Sequence, residues 1–121
     1  MAKILIVDDD FDVVEACRMV LEENGHNVAS ACSRKDGTNL LLSFKPDLLI
    51  LDVMMDYPDD GIAMAQDLRR QNFDNPIIML SSVSRVTGLA FGRDNEMLPA
   101  DEFLEKPVSP SMLVKSVRNL L

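Results

Sequence analysis

Tryptophan is absent from the 121-residue chain, tyrosine and histidine occur once each, and there are only two cysteines. The lone histidine, His26, has no second imidazole to share a metal with and reads as a surface or turn residue. Cys17 and Cys32 fall outside any C-x-x-C spacing and are too few for a disulfide framework, so they read as reduced packing residues. No apolar stretch approaches the roughly 18 residues of a membrane span. The start, Met1-Ala-Lys-Ile-Leu-Ile-Val7, lacks a signal peptide's longer apolar core and meets acidic residues at once, so a cytoplasmic location is expected. Basic residues are the minority, 12 against 20 acidic ones, for a net charge of -8. Direct contact with nucleic acid is therefore not expected, whereas protein partners or a cation fit the charge.

What is present is a chain that is 47% hydrophobic, long enough for one domain, and able to bury roughly two thirds of its unfolded surface. Residues 1–121 are read as that single domain. Apolar runs alternate with helical patterns five times, the mark of a parallel sheet covered on both faces. Strands are expected near 3–7, 26–31, 48–51, 77–81 and 101–105. A first helix follows Asp10 to about Asn24, with Val13, Val14, Cys17, Val20 and Leu21 on one stripe and Gly25 as its stop. A second starts near Ser33, carries Leu40, Leu41 and Leu42, and ends before Pro46, which turns Lys45 away from helical angles. A third runs from about Gly61 to Arg69 and Arg70, read as a solvated helix end. The last has Ser109 as N-cap and Pro110 at its first position. Gly88, Gly92 and Pro99 interrupt the stretch between Ser82 and Asp101, where a short irregular helix is expected.

The chemistry-bearing residues follow the apolar runs. Asp8 and Asp9 come after Lys3–Val7, Asp52 after Leu48–Leu51, Ser81 and Ser82 after Ile77–Leu80, and Lys106 after Phe103-Leu-Glu105. In an open parallel sheet, ligands bind beyond the carboxyl ends of the strands, so these side chains are expected to converge. Carboxylates about 4 Å apart repel by about 4 kcal/mol at an effective dielectric of about 20, and a cation would relieve this. Oxygen donors without histidine or cysteine favour a hard ion such as Mg²⁺. Asp52, alone at the end of the most apolar run, is the candidate nucleophile for phosphoryl transfer, with the Lys106 ammonium neutralising developing charge. Ser81 either donates to a phosphoryl oxygen or caps backbone, and small Ser82 leaves room for the group to enter.

Four segments together resemble the receiver domain of two-component response regulators over essentially the whole chain: Ile4-Leu-Ile-Val-Asp8-Asp9-Asp10, Pro46–Asp52-Val-Met-Met55, Pro76–Ser81-Ser82, and Lys106-Pro107-Val108. The resemblance implies a doubly wound, flavodoxin-like α/β fold with five parallel strands in the order 2-1-3-4-5 and helices on both faces. It implies Asp52 as phosphoacceptor, Asp9 as direct metal ligand, Asp8 acting through metal-bound water, and the Met54 carbonyl as a further ligand. Ser81 matches the switch hydroxyl, Phe103 the switch aromatic without a tyrosine's hydroxyl, and Lys106 the phosphate-binding lysine. The Lys106-Pro107 peptide is often cis in that family. Implied partners are a histidine kinase or phosphotransfer protein upstream and an output protein or effector domain downstream, with a homodimer possible. The chain departs from the pattern at Asp56-Tyr-Pro-Asp-Asp-Gly61, which lacks the usual proline and is one residue longer, and at Val83–Ala100, which is longer than usual.

Three other readings stay open on sequence grounds. Asp8-x-Asp10 resembles the nucleophile motif of haloacid-dehalogenase-like phosphatases, in which Asp8 would be phosphorylated. A receiver-like interaction module that no longer takes phosphate would keep every residue named. A flavodoxin-like flavin binder fits poorly, because Asp8-Asp-Asp-Phe11 would repel a phosphate.

Overall fold

A computed structural model of the chain describes residues 2–53, 60–81 and 100–121. Its elements are β1 (Lys3–Val7), α1 (Phe11–Glu23), β2 (Asn27–Ala31), α2 (Arg34–Phe44), β3 (Leu48–Asp52), α3 (Asp60–Arg70), β4 (Ile77–Ser81), β5 (Glu102–Glu105) and α4 (Pro110–Leu120). The strands form one parallel sheet in the order β2-β1-β3-β4-β5, as the resemblance implied. The irregular helix expected between Ser82 and Asp101, the 56–61 loop apart from its last residues, Met54 and Ser82 lie outside the described residues.

Strand alternation builds two cores. Leu5, Val7, Leu49, Leu51, Ile77 and Met79 face α2 and α3, where they meet Leu41, Met64, Ala65 and Leu68. Ile4, Ile6, Leu48, Ile50, Ile78 and Leu80 face α1 and α4, where they meet Val14, Cys17, Leu21, Leu113 and Val117. Because both faces are covered, β1, β3 and β4 read as unbroken apolar runs rather than alternating ones. Each buried Leu or Ile contributes about 1.5–3 kcal/mol relative to exposure, so these strand ends are firmly seated. Leu42 does not join the core: it is 74% exposed on the outer side of α2, while its neighbour Leu41 is buried.

Local chemistry sets the helix ends. The Asp10 side chain caps α1 and the Ser33 hydroxyl caps α2, whereas Ser109 holds the N-cap position of α4 without a side-chain cap bond, its hydroxyl lying 3.1 Å from that of Ser111. Pro46 excludes further helix, and Lys45 takes a left-handed conformation at φ 52°. Arg70 is exposed, as a solvated helix end should be. Arg69 departs from that reading. Its guanidinium donates to the carbonyls of Phe73 and Asn75 and to Asp101, whose carboxylate also accepts from the Ile77 N–H at 2.9 Å. It therefore ties the α3–β4 turn to the start of β5.

Two glycines mark close backbone approaches. A Cβ on Gly37 would sit 2.8 Å from the Val7 side chain, so glycine lets α2 lie close on β1. A Cβ on Gly61 would sit 1.8 Å from the Asp52 carbonyl oxygen, so the first turn of α3 rests directly on the end of β3. The Gly61 N–H donates to the Val53 carbonyl across this junction.

Candidate functional site

The sheet order places the first crossover on one side of β1 and the later ones on the other, which opens a crevice beyond the carboxyl ends of β1 and β3. The pairing Val7–Leu51, carried one residue further, brings Asp8 alongside Asp52 on neighbouring strands. One carboxylate oxygen from each of Asp8, Asp9 and Asp52 lies within 4.8 Å of the others. Lys106 follows β5, two strands from β3, and its long stem returns the ammonium to the same point. Nζ is 2.9 Å from Asp8 Oδ2 and 3.2 Å from Asp52 Oδ1. The sequence expectation that these four residues converge is thus met in the geometry.

Asp8 is fully buried and Asp52 is 5% exposed, whereas Asp9 is open to solvent, so the cluster has a buried floor and a wet rim. Asp8 Oδ1 accepts from the Asp10 N–H at 2.8 Å. Asp8 Oδ2 lies 2.9 Å from the Lys106 ammonium and has no other hydrogen-bond partner among the described residues. Burial works against the Lys106 ammonium, yet Asp8 and Asp52 outweigh it and hold its pKa above the ordinary lysine value. The raised value means the ion pair stabilises the fold throughout neutral pH and is lost only as pH rises through the lysine range.

Three carboxylates and one ammonium leave a formal charge of about -2 in the crevice. An incompletely bonded buried oxygen and an all-carboxylate donor set fit a divalent hard cation, and the cluster is capable of coordinating one.

The remaining predicted residues fall around this centre. Ser81 closes β4, is buried, and its carbonyl accepts from the Lys106 N–H at 2.9 Å, which locks the two strand ends together. Phe103 is half-buried on β5 against the α2/α3 core, opposite Met79. The Lys106-Pro107 peptide is cis. His26 lies away from the site, where its Nδ1 accepts from the Ala2 N–H, and burial lowers its pKa from 6.5.

Three features of the site were not drawn from sequence. Gly61 abuts Asp52. Asp10 turns its carboxylate onto α1. Cys17 sits beneath the acidic floor, where burial, and next the negative charge of Asp8, push its thiol up to about 11, with Lys106 acting in the opposite sense. The sequence places Gly61 only near the start of the third helix, because its significance depends on which backbone comes to lie beneath it.

Comparison with known proteins agrees with this geometry. A family profile described as the response regulator receiver domain matches residues 4–118. The chain is 34% identical over 122 aligned positions to the response regulator SaeR of Staphylococcus aureus, covering all of this chain and 51% of that protein. It thus spans about half the length of the curated relatives it matches. Among solved structures, the Francisella response regulator 1452 receiver domain superposes with a TM-score of 0.81 at 31% identity, covering 99% of this chain and 96% of that one. The BeF3-activated N-terminal receiver domain of Klebsiella pneumoniae RstA superposes with a TM-score of 0.81 at 28% identity, covering 98% and 97%.

Proposed function

The chain belongs to the response regulator receiver family, and from that membership we propose that residues 1–121 act as one receiver domain in which Asp52 takes the phosphoryl group. Members of this family are phosphoacceptor switches rather than true enzymes. The observation that carries the assignment to Asp52 is the position of its carboxylate, at the centre of the crevice with the Lys106 ammonium 3.2 Å from Oδ1. Asp8 is a poorer nucleophile: it is fully buried, one of its oxygens is held by the Asp10 N–H, and the other lies against Lys106.

In the proposed reaction a carboxylate oxygen of Asp52 attacks the phosphorus of a phosphohistidine on a histidine kinase or phosphotransfer protein. The P–N bond breaks, and its electron pair returns to the imidazole, which takes up a proton. Lys106 neutralises charge on the phosphoryl oxygens, Ser81 donates its hydroxyl to one of them, and the small side chain of Ser82 would leave room for the group to enter. A bound Mg²⁺, held by Asp9, Asp52 and the Met54 carbonyl and by Asp8 through water, would supply further positive charge to those oxygens. Attack of water on the aspartyl phosphate resets the domain as weak self-dephosphorylation.

The added charge biases a two-state equilibrium in which Ser81 and Phe103 move together. An output protein, an effector domain or a second copy of the chain reads the change. No helix among the described residues is long and apolar enough to cross a membrane; a cytoplasmic location is part of the proposal. The test is incubation with acetyl phosphate. Intact mass should rise by one phosphoryl group with Mg²⁺ and not with chelator, and Asp52→Asn should abolish the gain. A domain that stays unmodified under conditions preserving acyl phosphates is instead a phosphate-silent interaction module.

A further inference from the structure

Asp8, Asp9 and Asp10 are consecutive, yet Asp10 is absent from the cluster of carboxylates that approach within 4.8 Å of one another. Its side chain is engaged elsewhere. Asp10 Oδ1 accepts from the N–H groups of Asp12 at 3.0 Å and Val13 at 3.4 Å, and its carbonyl accepts from the Val14 N–H at 3.1 Å. The same residue donates its own N–H to Asp8 Oδ1 at 2.8 Å. Asp10 therefore joins two structures, the first turn of α1 on one side and the buried carboxylate at the end of β1 on the other.

The consequence for Asp8 is directional. With Oδ1 held by the backbone, the carboxylate can rotate little, and Oδ2 is the oxygen presented to Lys106 and to the crevice. The Asp8 N–H is anchored in turn to the Ala31 carbonyl at 3.1 Å, so the turn is tied to β2 at one end and to α1 at the other. Asp9 lies between these two fixed points, and the path of its backbone is set by both.

We infer that Asp10 is a positioning residue for the cation site: by capping α1 it holds its N–H against Asp8 and fixes where the Asp8 and Asp9 carboxylates point, without itself touching the ion. This rests on reading the acidic cluster as a divalent-cation site. Partners that orient metal ligands from outside the coordination sphere typically alter affinity by about 10- to 100-fold, and a cap acting through one backbone hydrogen bond belongs at the low end.

Serine caps a helix as well as aspartate does but carries no charge, and alanine neither caps nor carries charge. Comparing the two separates positioning from charge. Mg²⁺ affinity, measured by titration calorimetry on the whole chain, is expected to weaken about 10-fold in Asp10→Ala and to stay within about 3-fold of the parent in Asp10→Ser. Amide hydrogen exchange without metal should show the Asp10, Asp12 and Val13 N–H groups losing protection in Asp10→Ala and keeping it in Asp10→Ser. Equal weakening in both variants would overturn the inference in favour of a charge or ligand role, and so would unchanged affinity in Asp10→Ala. Asp9→Asn is the control for the underlying reading: if it binds Mg²⁺ as the parent does, the cluster is not the cation site, and the role given to Asp10 falls with it.

Discussion

Replacing Asp9 by asparagine should make the metal-free protein more stable, although it removes a residue assigned to the site. Two charges 4.8 Å apart, the limit for the carboxylate oxygens of this cluster, repel by about 3.5 kcal/mol at an effective dielectric of about 20. Asp9 is exposed, so salt and solvent reduce that figure to about 1–2 kcal/mol, and the Lys106 ammonium, paired with Asp8 and Asp52, offsets part of the repulsion between those two. For a chain of this length a gain of about 1.5 kcal/mol corresponds to a rise in Tm of roughly 5 °C. Urea and thermal unfolding in chelator should show this gain. Saturating Mg²⁺ should reverse the order, because the parent gains binding free energy that the variant largely loses. If Asp9→Asn melts at or below the parent in chelator, the carboxylates are not under mutual repulsion and the electrostatic account of the site is wrong.

Gly61→Ala should destabilise by about 2–3 kcal/mol, because overpacking against the Asp52 carbonyl outweighs the gain of up to about 1 kcal/mol that alanine usually brings to a helix; an increase in the urea midpoint would contradict the junction described. Cys32, exposed, should react with a thiol reagent at pH 8 well before buried Cys17, whose pKa of about 11 keeps it protonated, and equal rates would contradict that burial. The Cys17 contribution to stability should fade as pH rises from about 9, where the unfolded thiol ionises first. The single histidine should titrate by NMR below 6.5, so that its contribution is present above that pH and lost as pH falls; a midpoint above 6.5 would mean that burial does not disfavour the imidazolium.

Much of this was legible in the sequence because it rests on local signals. Apolar runs ending in Asp8, Asp52 and Ser81 fixed three strands to within a residue, and a sheet with both faces covered then required their carboxyl ends to share an edge. Ser33 and Pro46 bounded α2 for reasons contained within a few residues. The rest depended on partners brought in from elsewhere. Arg69 read as a solvated helix end until the turn to β4 and Asp101 folded onto it. Leu42 matched its apolar neighbours in type, but lies on the outer side of the helix. Gly61 could be seen as a glycine near a helix start, yet its necessity comes from the Asp52 backbone beneath it. Asp10 stands directly before the first helix in the sequence, and only the hydrogen bonds of its carboxylate and its N–H show that it caps that helix while holding Asp8.

The central claim is that the carboxylate at position 52, and no other, receives the phosphoryl group. Phosphorylation with acetyl phosphate and Mg²⁺, followed by borohydride reduction of the acyl phosphate and peptide mass mapping, identifies the residue directly. The account predicts homoserine at position 52 alone, absent when chelator replaces Mg²⁺. Homoserine at position 8, or none at any position, would contradict it.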